Sequence, residues 1–156
     1  MKKEFILESD KDTRKLGKEI GKLISSGICI FLSGNLGSGK TTFTKGLARG
    51  IGISEQYYIT SPTYSIINEY PGNLNLYHID LYRIEQIEEL DYLGLDEIME
   101  QENAVIAIEW PEIMDKDSSY NYDLKIIFSL HNNSSRKISI FASGRRGLNL
   151  LKKLLL

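Results

Sequence analysis

Apolar residues fall along this chain in two rhythms, short continuous or alternating runs that mark strands and a three-to-four-residue spacing that marks helices. Residues 3–8 predict a first strand. Ser9 and Asp12 then have the spacing of a capping box, and Leu16, Ile20, Leu23 and Ile24 repeat at helical spacing. A helix should follow, laying one apolar stripe on a sheet and ending at Gly27. The run Ile28-Cys29-Ile30-Phe31-Leu32 reads as a strand over 28–33. A glycine-rich loop and a helix through about Arg49 come next, with Gly50 and Gly52 at its end.

Further along, Ser61-Pro62-Thr63-Tyr64 forms an ordered loop leading into a strand over 64–70, and Pro71-Gly72-Asn73 is a turn. Residues 74–82 predict another strand with Asp80 near its end. Ile84, Ile87 and Leu90 suggest a short helix, which Gly94 separates from a second around Asp96–Gln101. Ala104–Ile108 has the unbroken apolar character of a fully buried strand and delivers Glu109 and Trp110 to its mouth, where Pro111 opens a helical turn. Residues 122–130 and 136–142 predict two strands joined by the turn 131–135, and a last helix follows Gly144 with Leu148, Leu151 and Leu155 inward. The expected fold is α/β, with a mixed central sheet flanked by helices, mixed because the final two strands pair with each other.

Chemistry enters at residues 34–41, Gly-Asn-Leu-Gly-Ser-Gly-Lys-Thr, which fit the phosphate-binding pattern G-x-x-x-x-G-K-S/T in the required place between a strand and a helix. The domain is therefore expected to be a single P-loop NTPase-like unit spanning 1–156. Gly34, Gly37 and Gly39 permit torsions and close approaches that turn backbone N–H groups toward phosphate oxygens. Lys40 supplies an ammonium for the outer phosphates and Thr41 a hydroxyl for magnesium, while Ser38 and Thr42 assist and Asn35 and Leu36 shape the loop. Residues 35–42 make up the expected ATP-binding loop. Ligands of such sheets gather at the carboxyl ends of strands, which singles out Asp80 and Glu109 as oxygen ligands for magnesium. Glu109 can also orient an attacking water, and the hydroxyls of Ser61 and Thr63 can sense the terminal phosphate from a mobile loop. Lys40, Asp80 and Glu109 are the expected catalytic set, and Thr41, Asp80 and Glu109 the expected metal set.

Composition narrows the class. The chain has 156 residues, 42% hydrophobic and 26% charged, as ordinary globular domains do. Its single cysteine, Cys29, sits in an apolar run and reads as a buried small hydrophobe. Without a signal-like or membrane-spanning apolar stretch, a cytoplasmic location is expected. The net charge of −2 conceals blocks: residues 1–50 are net basic, residues 51–123 strongly acidic and residues 124–156 basic without a single acid. Folding either intermixes these blocks or leaves an acidic partner-binding face beside a basic one. Lys125, Arg136, Lys137, Arg145, Arg146, Lys152 and Lys153 can reach RNA phosphates, but no RNA-binding module accompanies them. His78 reads as polar support for its strand rather than as a ligand, His131 as structural or exposed. Trp110 either covers the site or packs in the core, and Arg83 is expected in a local salt bridge.

The phosphate loop, Ser61-Pro62-Thr63-Tyr64, His78-Ile79-Asp80-Leu81-Tyr82-Arg83 and Ile108-Glu109-Trp110-Pro111-Glu112, in that order, resemble the bacterial TsaE family. So do Leu16-Gly17 and Ile20-Gly21, Gly46–Gly50, and Glu88-Glu89-Leu90 followed by Leu93–Glu97. The resemblance implies an ATPase assisting threonylcarbamoylation of adenosine beside the anticodon of tRNA. In that family picture TsaC makes the threonylcarbamoyl-adenylate donor and TsaD transfers the group with TsaB. TsaE binds the TsaB–TsaD pair and hydrolyses ATP to support repeated turnover. The nucleotide and magnesium roles carry over to Lys40, Thr41, Asp80 and Glu109, and the switch segment to Ser61–Tyr64. Asn35 stands where the family often has Asp, and Ser38 where it often has Ala. A small-molecule kinase would need an acceptor site and an arginine-rich lid, neither evident. A nucleotide-gated binding switch would hold ATP without turnover. A GTPase is disfavoured because N-K-x-D is absent, and Asp91-Tyr92-Leu93-Gly94 matches D-x-x-G only within a predicted helix.

Overall fold

A computed structural model describes residues 1–154. In chain order it forms β1 (Lys2–Leu7), α1 (Asp10–Leu23), β2 (Ile28–Gly34), α2 (Lys40–Gly50), β3 (Ile67–Tyr70), β4 (Asn75–Asp80), α3 (Glu89–Tyr92), α4 (Leu95–Met99) and β5 (Ala104–Glu109). A 3-10 helix (Pro111–Lys116), β6 (Leu124–Leu130), β7 (Arg136–Ala142) and α5 (Gly144–Lys153) complete it. The strands make one seven-stranded sheet in the order β1-β7-β6-β2-β5-β4-β3. Its centre, β6-β2-β5-β4, is parallel, whereas β3, β7 and β1 join their neighbours antiparallel. The mixed sheet expected from the last two strands is present, and β1 extends it by pairing with β7.

Strand alternation sorts the core into two layers. Ile28, Ile30 and Leu32 of β2 pack with Leu16 and Ile20 of α1, Phe43 and Leu47 of α2, and Leu150 and Leu151 of α5. Cys29 and Phe31 point the other way, against Leu90, Leu95 and Met114 beneath α3, α4 and the 3-10 helix. The cap of α1 forms as expected, the Ser9 hydroxyl accepting from the Asp12 N–H at 3.1 Å. α1 and α2 approach unusually closely because glycines face each other. A Cβ on Gly46 would lie 2.0 Å from the Arg14 carbonyl oxygen, and one on Gly17 2.2 Å from that of Phe43. This contact seats the helix that follows the phosphate loop.

Several boundaries move. The strand expected over 64–70 starts only at Ile67, because Ile66 takes a left-handed φ of 68° and its N–H turns back to the Pro62 carbonyl. β4 stops at Asp80, whose carboxylate accepts from the Tyr82 N–H at 2.9 Å and bends the chain out of the ladder. The helix expected from Ile84 begins at Glu89. In α5 the inward stripe is Gly147, Leu150, Leu151 and then Leu154, with Leu148 only half-buried; Leu155 lies outside the described residues. Among the described residues no helix is long and apolar enough to cross a membrane.

Candidate functional site

The loop between β2 and α2 is held open by glycine torsions. Gly37 and Gly39 have φ of 73° and 110°, and a Cβ on Gly34 would strike the Phe128 carbonyl oxygen at 2.7 Å. α2 begins at Lys40 with no side chain capping it, so its first N–H groups remain available to an anion. Lys40 is 5% exposed; its ammonium donates to the carbonyl oxygens of Gly34 and Asn35 and sits 4.2 Å from the centre of the Trp110 ring. Burial pulls its pKa below the ordinary lysine value, an effect partly offset by Glu109, Asp80 and Glu112. A polyanion entering the loop would relieve that desolvation.

Asp80 and Glu109 end adjacent parallel strands as direct register partners. Both are nearly buried, at 4% and 3% exposed. Glu109 Oε1 accepts from the Thr41 hydroxyl at 2.9 Å and meets His78 Nε2 at 2.8 Å. Asp80 Oδ2 lies 3.2 Å from the Thr63 hydroxyl and 3.4 Å from the Ser61 hydroxyl, and those hydroxyls are 2.9 Å apart, so one donates to the other while its partner donates to the carboxylate. The Ser61–Thr63 loop is thus tied to one carboxylate and the start of α2 to the other.

These groups surround one cavity of about 530 Å³, lined by Leu36, Gly37, Ser38, Gly39, Lys40, Thr41, Thr42, Ser61, Thr63, Asp80 and Glu109. Every expected site residue lines it except Asn35, whose carbonyl oxygen instead accepts from Lys40. Ser38 Oγ is buried with no hydrogen-bond partner among the described residues. Among those residues no group of three or more His, Cys, Asp or Glu side chains could hold a metal. A cation here would have Thr41, Asp80 and Glu109 and complete its shell with water and phosphate oxygens, as magnesium commonly does.

Three lining residues, Asp10, Tyr82 and Arg136, were not anticipated at the site. Arg136, expected among cations for RNA, instead donates to Asp10 Oδ1 at 2.5 Å and to Thr13 Oγ1 at 3.3 Å beside Gly39. Its sequence signal was slight, a lone arginine opening a strand far from the loop. The blocks of charge do intermix: Lys137 pairs with Glu4, Arg146 with Asp123 and Lys125 with Asp115. Arg83 makes no salt bridge among the described residues and instead lies 5.7 Å from the Tyr64 ring centre, because the bend after Asp80 carries it toward the Ser61–Tyr64 loop. Trp110, at φ 56°, does both things expected of it, lining the cavity and packing against the lower core. His131 is exposed in its turn, and His78 is fully buried behind Glu109.

The profile of the family described as "Threonylcarbamoyl adenosine biosynthesis protein TsaE" matches residues 7–138. The tRNA threonylcarbamoyladenosine biosynthesis protein TsaE of Borreliella burgdorferi is 43% identical over 132 residues, 80% of this chain and 94% of that protein. The protein of the same name from Aquifex aeolicus is 36% identical over 89% of this chain and 96% of its own length. The crystal structure of YdiB from Bacillus subtilis superimposes with a TM-score of 0.82 at 30% identity, covering 98% of this chain and 93% of the other.

Proposed function

The chain belongs to the TsaE family of tRNA threonylcarbamoyladenosine biosynthesis, and from that premise we propose that it is a magnesium-dependent ATPase that binds the TsaB–TsaD pair and hydrolyses ATP to support repeated turnover. It acts as one P-loop domain in the cytoplasm. The observation that carries this reading is the convergence of Lys40, Thr41, Asp80 and Glu109 on one cavity. The donor set suits a triphosphate with its cation: a desolvated ammonium, uncapped helix N–H groups and hard oxygen ligands on two strand ends.

Lys40 exchanges its loop carbonyls for the outer phosphates and, with the loop amides, stabilises charge that builds on the terminal phosphoryl group. Thr41 and Asp80, with Glu109 through water, would hold magnesium, which would supply neutralisation of the phosphate charge. Glu109 orients the water for in-line attack, and Ser61 and Thr63 report the terminal phosphate through their tie to Asp80. Trp110, its ring centre 4.9 Å from that of Tyr82 and tilted 52° to it, covers Lys40 and excludes bulk water. Closure is completed by the partner pair.

The test is ATP hydrolysis in the presence of TsaB–TsaD by the wild type and Lys40→Ala. Loss of turnover by at least about 100-fold with an unchanged circular dichroism spectrum supports the reading. Equal rates contradict it.

A further inference from the structure

Among the described residues His78 is the one fully buried titratable side chain with no place in the mechanism so far, and it lies on the same face of β4 as Asp80, two residues on. His78 Nε2 lies 2.8 Å from Glu109 Oε1, where the Nε2–H tautomer donates to the carboxylate. The other ring nitrogen, Nδ1, is buried with no partner among the described residues. A buried ring nitrogen left without a partner costs stability, so the packing of β4 alone gives no reason for an imidazole. Among the described residues the imidazole makes one side-chain hydrogen bond, to Glu109.

That bond has a directional consequence. Among the described residues, every hydrogen bond to the Glu109 side chain falls on Oε1, from Thr41 on one side and His78 on the other. The carboxylate is thereby held in one rotamer, with Oε1 committed to the protein and Oε2 free.

We infer that His78 is the positioning residue of the hydrolytic reaction: it fixes Glu109 so that Oε2 is presented to the attacking water, and it never touches nucleotide itself. The role presupposes the ATPase reading above. It predicts that His78 governs kcat and leaves nucleotide affinity alone. It also predicts that a side chain able to donate from the same place can substitute.

The experiment compares wild type, His78→Leu and His78→Gln, each with the TsaB–TsaD pair, in steady-state ATP hydrolysis and in binding of a fluorescent ATP analogue. His78→Leu should lose about 10- to 100-fold in kcat, with KM and analogue affinity within about threefold of wild type. His78→Gln, whose amide donates where Nε2 did, should recover most of the loss. Long-range proton–nitrogen spectra of the wild type should show the ring proton on Nε2, a readout independent of turnover. Undiminished kcat in His78→Leu, equal damage in both variants, or a proton on Nδ1 overturns the role. A wild type that hydrolyses no ATP overturns the ATPase reading and this role with it, whereas an active wild type beside an unimpaired His78→Leu overturns the role alone.

Discussion

Asp80 and Glu109 are opposed residues at the last positions of β4 and β5, so one parallel ladder presents two carboxylates side by side at a single cavity. Their hydrogen bonds divide: Asp80 holds the Ser61–Thr63 loop and Glu109 holds Thr41 at the start of α2. Asp80→Ala should therefore act twice. Magnesium-dependent turnover should fall by at least about 100-fold, and backbone amides over residues 61–66 should exchange hydrogen faster than in wild type. An unaltered magnesium titration would contradict the ligand role, and unchanged exchange would contradict the tether.

The close contact of α1 and α2 leaves no room at Gly46, where a Cβ would lie 2.0 Å from the Arg14 carbonyl oxygen and 3.0 Å from Lys18 N. Both obstacles are backbone and cannot rotate away. Gly46→Ala should destabilise the fold by about 1–3 kcal/mol, seen as a melting temperature lower by about 3–10 °C. Gly37→Ala, whose Cβ meets nothing within 4 Å but must hold a φ of 73°, should cost only about 1 kcal/mol. Equal melting of Gly46→Ala and wild type would show that the helices can separate without penalty.

Burial lowers the pKa of Lys40 in the free protein from its usual 10.5, so the folded state binds fewer protons at this site than the unfolded state does. The sign follows directly. In the free protein the penalty is greatest where Lys40 is charged and fades as pH rises through the lowered value toward 10.5. Bound phosphates favour the ammonium and reverse the shift, so nucleotide affinity should decline on the alkaline side, starting below 10.5. Fluorescent-analogue titrations from about pH 7 to about pH 10 measure this. A flat profile would remove Lys40 from phosphate binding.

Cys29 is buried, and burial pushes its thiol well above the ordinary range, with Asp123 adding to the effect and Arg146 partly offsetting it. Its thiolate is suppressed and its sulfur screened. A disulfide exchange reagent should leave the native protein unlabelled and react once denaturant opens the sheet. Labelling of the folded protein within minutes would mean that the sheet opens locally around β2.

What the chain discloses by itself is whatever depends on neighbours in sequence. The phosphate loop was legible because its glycines, Lys40 and Thr41 lie within eight residues between two clearly periodic segments. Asp80 and Glu109 were legible because apolar runs end at them and strand ends collect ligands. The pairing of β1 with β7 was not, since register between segments more than a hundred residues apart leaves no local mark. For the same reason Asp10 and Arg136 escaped notice at the cavity, and His78 showed only that it was polar in a strand. Ile66 misled because a β-branched residue ordinarily argues for strand, and here it sits in the left-handed region at the end of the Ser61–Tyr64 loop.

The central claim, that ATP turnover at this cavity sustains tRNA modification, is tested most directly by reconstitution with TsaB, TsaC, TsaD and substrate tRNA. Product is counted over many turnovers with the wild-type chain or Lys40→Ala. The account predicts continued formation of threonylcarbamoyladenosine with the wild type and early arrest with Lys40→Ala. Equal yields over many turnovers with both proteins would contradict it.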